Sequence, residues 1–157
     1  MRKRMIRQGV QEVSPADGHW LDVGRLAQVE ITSEDPAHPI ESALLPGTGS
    51  GWRAARPGEQ TIRLLFDEAV RLRRIRLEFH EEQHARTQEF ALGWSPDGGQ
   101  SYRQLVRQQY NFSPPGTTRE VEDYIVDLDR MSALELRIVP DISGGDVRAS
   151  LAAWQLA

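Results

Sequence analysis

Trp52-Arg53-Ala54-Ala55-Arg56-Pro57-Gly58-Glu59-Gln60-Thr61-Ile62-Arg63-Leu64-Leu65-Phe66 opens the stretch, running on to Tyr102, that decides the fold. Ile62, Leu64 and Phe66 alternate with Arg63 and Leu65. Such period-2 runs mark strands with one buried face, because successive side chains of a strand leave on opposite sides. Ile75, Leu77 and Phe79 repeat the pattern against Arg74, Arg76 and Glu78. Val70 and Leu72 lie in the opposite register, so a bulge or bend is expected at Arg73-Arg74. Phe90, Leu92 and Trp94 form another strand, closed by the turn Ser95-Pro96-Asp97-Gly98-Gly99.

Outward from this stretch the pattern continues. Tyr124, Val126 and Leu128 form one strand and Leu134, Leu136 and Ile138 another. Leu151 to Leu156 is apolar on both parities and is expected to close the core as one buried strand. Pro46-Gly47-Thr48-Gly49-Ser50-Gly51, Pro57-Gly58, Pro114-Pro115-Gly116 and Ser143-Gly144-Gly145 punctuate the runs, with φ preset at Pro and φ > 0 accessible at Gly. Short strands at this spacing predict an all-β sandwich or barrel. One short helix is expected within residues 39–45, starting near His38 and stopped by Pro46-Gly47. The first ~20 residues alternate weakly and are expected to be loose.

The chain has 157 residues, the length of a single domain able to bury a core without staples. There is no cysteine, so disulfides, thiolate zinc sites and thiol nucleophiles are excluded. No apolar run approaches the ~18 residues that cross a bilayer. The basic opening Met1-Arg2-Lys3-Arg4-Met5-Ile6-Arg7 is followed by Gln8, Gly9, Gln11 and Glu12 where a signal peptide needs an apolar segment, so the expected location is cytoplasmic. A formal net charge of −4 argues against a broad duplex-binding surface, which would neutralise many phosphates. Nearly all the basic residues are Arg, whose planar guanidinium suits bidentate recognition of carboxylate or phosphate.

In its order of features, from about Leu26 to Ala157, the chain resembles the discoidin or coagulation-factor type C (F5/8 C) family and the related carbohydrate-binding modules. The matching parts are Val29-Glu30-Ile31-Thr32-Ser33, the helix at Glu41-Ser42-Ala43-Leu44, Trp52 with the strand after it, and Arg86-Thr87-Gln88-Glu89-Phe90. Asp97-Gly98 with Tyr102, Leu136-Arg137-Ile138 and the closing strand complete the order. The resemblance implies a galactose-binding-like jelly roll with its ligand at loops on one end of the sandwich. Family members that hold a structural calcium place acidic side chains after the short helix and near the closing strand. Here those regions read Leu44-Leu45-Pro46 and Ala152-Ala153-Trp154, so no cofactor is expected, although carbonyls of the Gly47 to Gly51 loop are a conceivable ligand set. Trp52-Arg53-Ala54-Ala55 with Gly58-Glu59 is also similar to the N-terminal domain of a single-strand-break repair scaffold that shares this sandwich.

The candidate ligand contacts are Arg53, His80, His84, Arg86, Tyr110, Asn111 and Phe112. His80-Glu81-Glu82-Gln83-His84-Ala85-Arg86 is the densest polar loop, readable as a specificity loop or as a solvated hairpin end. His80 and His84 have the i,i+4 spacing of helical metal ligands, but their surroundings read as strand and loop, so no metal is expected. Glu81 and Glu82 have no third orienting group or nucleophile, and no catalytic constellation appears. Trp52 and Trp94 belong to apolar faces and are read as core. Tyr110 and Phe112 flank Asn111 at a loop edge, where they either stack on a sugar or end a strand in the core; Arg119 and Glu122 adjoin that rim.

These readings make a non-catalytic module, binding a carbohydrate or small polar ligand, the leading expectation. A cytoplasmic protein interaction domain that has lost the sugar site is the alternative. A DNA-end binder using Arg53, Arg56, Arg71, Arg73 and Arg74 stands third.

Overall fold

Two strands of 21 residues each organise the chain: β3 (Gln60–His80) and β6 (Arg119–Val139), paired antiparallel. The computed structural model describes residues 20–45 and 50–157. The N-terminal segment up to residue 19 and residues 46–49 of the proposed carbonyl loop lie outside the described residues. Register shifts three times between Leu65 and Arg74, so the bend expected at Arg73-Arg74 is present but spread over more of the strand. Those shifts let one strand serve two layers.

Through residues 62–65, β3 pairs with β1 (Ala27–Ile31) on one side and with the C-terminal part of β6 on the other. That part of β6 also pairs with β4 (Arg86–Ser95), which in turn pairs with β5 (Arg103–Phe112). Through residues 75–78, β3 lies instead between the N-terminal part of β6 and β8 (Ala153–Leu156). A five-stranded layer and a three-stranded layer result, and Phe79 of one stacks on Phe90 of the other with ring centroids 5.3 Å apart.

The core lies between these layers. Ile62, Leu64, Leu77, Phe90, Leu136 and Ile138 are buried, as their alternation requires. Leu72 and Ile75 are both buried although their parities differ, because the bulge between them turns both side chains inward. Fully burying such a side chain stabilises by about 1.5–3 kcal/mol each.

One expectation is corrected, the helix expected within residues 39–45 is present with a later start, and one helical turn is new. The closing segment is two strands rather than one: β7 (Arg148–Leu151) pairs with β2 (Trp52–Pro57), whereas β8 pairs with β3. The Ala152 amide donates to the Glu78 carbonyl at 2.8 Å, and the chain changes partners there, which is why both parities are apolar. The short helix α2 (Glu41–Leu44) starts later than His38, because residues 35–38 form their own turn with the Ala37 amide donating to Asp35 Oδ1. A further turn of helix, α1 (Val23–Leu26), was not expected; Asp22 stands at its N-cap but makes no side-chain capping bond.

Candidate functional site

Strand alternation places Arg53 outward by burying its neighbours. Trp52, Ala54, Ala149 and Leu151 form the inner face of the β2/β7 ribbon, each at most 1% exposed. Arg53 is registered opposite Ser150, so Arg53, Ser150 and Arg148 share the outer face. The ribbon is fixed from behind: Trp52 Nε1 donates to the Ser33 carbonyl at 3.1 Å, and the Ala55 amide donates to Ser33 Oγ at 3.0 Å. Gly51 leads into it with φ +89°, and a Cβ there would lie 2.5 Å from the Leu151 carbonyl oxygen. Only glycine fits that approach.

Opposite the ribbon stands the loop that follows β3. Arg53, Arg148 and Ser150 face His80, Glu81, Glu82, Gln83 and His84 across a cleft of about 230 Å³, with Asp146 and Val147 completing its lining. The cleft is smaller than the roughly 300–1,000 Å³ that encloses a drug-sized ligand. It can cradle one ring-sized polar group. A shallower extension bordered by His38, Ser50 and Ala152 shares Arg53, His80 and Ser150 with it. His38 Nδ1 lies 2.9 Å from Ser50 Oγ.

Hydrogen bonds and ion pairs hold His80 and the loop in place. Glu78 sits between Arg119 Nε at 3.0 Å and His80 Nε2 at 2.6 Å. The hydrogen bond from Arg119, aided by that from His80, overcomes burial and pulls the Glu78 carboxyl down to about 2. Glu81 is the loop's anchor. Burial opposes its ionisation, but the Gln83 amide, the Arg86 guanidinium and the His84 amide outweigh this and hold its carboxyl below the ordinary range.

Arg86 differs from the expectation of a ligand contact. Its side chain is fully buried, donating from Nε to Glu81 Oε1 and from Nη1 to the Pro140 carbonyl, both at 2.7 Å. Its guanidinium lies 4.7 Å over the Phe112 ring. Beneath it Gln88 Nε2 donates to Glu120 Oε1 at 3.2 Å, and burial with the adjacent Glu122 pushes the Glu120 carboxyl up to about 9. Arg86 therefore braces the loop from below.

The aromatic rim is corrected as well. Phe112 is buried at 2% exposure, and Tyr110 packs edge-on against it while donating its hydroxyl to the Arg119 carbonyl. Asn111 points to the other face of β5, where Thr87 Oγ1 donates to its side-chain oxygen at 2.6 Å. None of the three lines the cleft. Of the expected residues the structure thus brings together Arg53, His80 and His84. It adds Arg148 and Ser150, whose alternation with Ala149 and Leu151 was the available signal.

Among the described residues, no three His, Asp or Glu side chains are grouped so as to share a metal ion. Two of the five arginines named for DNA hold carboxylates of this chain: Arg71 bridges Asp127 and Asp129, and Arg74 pairs with Asp123.

No family model matches the sequence, and no curated protein is significantly similar to it. The fold, however, is that of the galactose-binding-like β-sandwiches. It superimposes on a family 32 carbohydrate-binding module of AlyQ in complex with 4,5-unsaturated mannuronic acid, with a TM-score of 0.62 and 14% identity over 84% of this chain and 95% of that one. It likewise matches the family 32 module of NanJ from Clostridium perfringens in complex with galactose, with a TM-score of 0.61 and 12% identity over 87% of this chain and 96% of that one. XRCC1 bound to the DNA polymerase β catalytic domain matches with a TM-score of 0.59 and 17% identity over 84% of this chain and 95% of that one.

Proposed function

We propose that the protein is a non-catalytic binding module that holds a carbohydrate or similar polyhydroxylated ligand in the cleft between the β2/β7 ribbon and the residue 80–85 loop. The observation that carries this is the convergence of Arg53 and Arg148 with His80 and His84 on a recess at one end of the sandwich. A concave site with a few convergent polar groups is the usual form of a small-ligand site. The galactose and mannuronic acid complexes of the similar modules support a glycan as the ligand class. Calorimetric titration of a glycan panel tests the reading: saturable heats that weaken roughly tenfold in Arg53→Ala support it, and flat heats for every sugar at millimolar concentration sink it.

A second reading, docking of a protein partner, is favoured by one feature. Ile125 is 81% exposed and Val121 38% on the outer face of β6. Asp123 lies between them and is tied to Arg74, so the apolar surface is interrupted by an ion pair. A stoichiometric partner from lysate that is lost in Ile125→Asp, with no sugar affinity, would establish this reading over the first.

A further inference from the structure

We infer that the cleft is selective for an acidic sugar, a hexuronate unit of a glycan, over its neutral counterpart; this rests on the reading of the cleft as a glycan site. Three observations converge on it.

The first is a contrast among the arginines. Arg63, Arg71, Arg74, Arg107, Arg119 and Arg137 each hold a carboxylate of this chain. Arg53 and Arg148, which share the outer face of the ribbon, hold none among the described residues, and unlike Arg25, Arg56, Arg73, Arg103 and Arg130, which also hold none, they line the recess. Two guanidiniums left open on one wall of a recess form a carboxylate receptor, because each presents a planar fork of donors that a carboxylate accepts in pairs.

The second is what lies across from them. Glu81 lines the same cleft, but its oxygens are already taken by Arg86 Nε and by the amides of Gln83 and His84. Glu82 and Asp146 line the same cleft without reaching either guanidinium within ion-pair distance. Carboxylates so disposed accept hydrogen bonds from hydroxyls and repel a bare anion. The site therefore asks for a ligand with one anionic group and several hydroxyls. A sugar acid has both, whereas inorganic phosphate lacks the hydroxyl array and a neutral hexose lacks the charge.

The third is the missing platform. Trp52, the tryptophan bordering the cleft's extension, is 1% exposed with its Nε1 donated to Ser33, and no Phe, Tyr or further Trp ring lines the recess among the described residues. Without a Trp, Tyr or Phe face to stack on, affinity comes mainly from hydrogen bonds, and charge-assisted ones are roughly twice as strong as neutral ones.

The test is calorimetry with matched pairs: trimers of galacturonate and mannuronate against trimers of galactose and mannose, with inorganic phosphate as the bare-anion control. At least one acidic trimer is expected to bind tenfold or more tighter than its neutral partner, and to weaken as salt rises from 20 to 500 mM, on the order of the screening expected for exposed charges. Arg148→Gln, exposed and outside the core, should keep the wild-type melting temperature and lose most of the acid-over-neutral ratio. Neutral and acidic trimers bound equally, or a ratio unchanged in Arg148→Gln, overturns the inference while leaving the glycan reading standing. Phosphate bound as tightly as the acidic trimers also overturns it. Flat heats for all four trimers overturn both.

Discussion

Replacing Arg86 with methionine asks whether the residue 80–85 loop is held from below. The variant keeps much of the volume and the contact with Phe112, but removes the 2.7 Å bonds to Glu81 and to the Pro140 carbonyl and the longer one to Gln88 at 3.3 Å. Bonds to charged groups contribute about 1.5–3 kcal/mol, and deleting one member of a buried ion pair costs about 3–5 kcal/mol because its partner is left uncompensated. Glu81 is 13% exposed and keeps two backbone donors, which sets the expectation at the lower end, about 3 kcal/mol. With a urea m-value of about 1–3 kcal/mol/M, the unfolding midpoint should fall by roughly 1–3 M. Arg86→Lys should recover only part of this, since an ammonium cannot reproduce a fork that spans Glu81 and Pro140. The discriminating measurement is a double-mutant cycle with Glu81→Gln by urea denaturation at pH 7, where coupling of ~1.5 kcal/mol or more is expected. A midpoint shift under ~0.3 M for Arg86→Met at unchanged m refutes the bracing role.

Other perturbations probe separate parts of the argument. Glu120, raised to about 9 by burial and by Glu122, binds its proton more tightly in the folded than in the unfolded chain, so stability should fall as pH rises from about 4.5 to about 9; Glu120→Gln should flatten that slope in urea midpoints at pH 5, 7 and 9, and parallel slopes would contradict the assignment. Glu78 and Asp97 are both held at about 2, Glu78 chiefly by Arg119 and Asp97 by the hydroxyls of Ser101 and Ser95, so their contribution is present above the ordinary carboxylate range and is lost as pH falls toward 2; Glu78→Gln should reduce that acid-side loss. Gly51→Ala meets both an unfavourable φ and a backbone oxygen, whereas Gly58→Ala, with φ +92° and nothing within 4 Å, meets only the first. Thermal melts should therefore show a loss of about 1 kcal/mol for Gly58→Ala and clearly more for Gly51→Ala, and equal losses would remove the close-approach argument.

Strand alternation made the sandwich legible because it reports which face a side chain occupies, and Ile62, Leu64, Leu77, Phe90 and Leu136 occupy the faces their parity assigns. It does not report the layer. The run from Leu151 to Leu156 satisfies one buried strand as well as two short ones, and the break at Ala152 is set by its amide reaching Glu78, a partner far away in sequence. Nor does parity distinguish a strand that ends in the core from one that ends in solvent. Tyr110 and Phe112 were equally readable as a sugar platform, and the Arg86 guanidinium over the Phe112 ring decides for the interior.

The same limit explains the site. Arg53 was found because it follows a tryptophan whose burial fixes its own direction. Arg86 was misassigned for the opposite reason: its parity is that of Gln88, Phe90 and Leu92, an inward face, but an arginine beside a polar loop reads as exposed unless its buried partners are known. Charged side chains go inward only when paired, and while Glu81 lies in the same loop, the Pro140 carbonyl that Arg86 also reaches is far away in sequence. The polar loop from His80 to Arg86 is therefore two things at once. Its outer members line the cleft, and its last member is the buried tie that gives them a fixed position, so a loss of ligand binding in Arg86→Met without direct ligand contact is the outcome this arrangement demands.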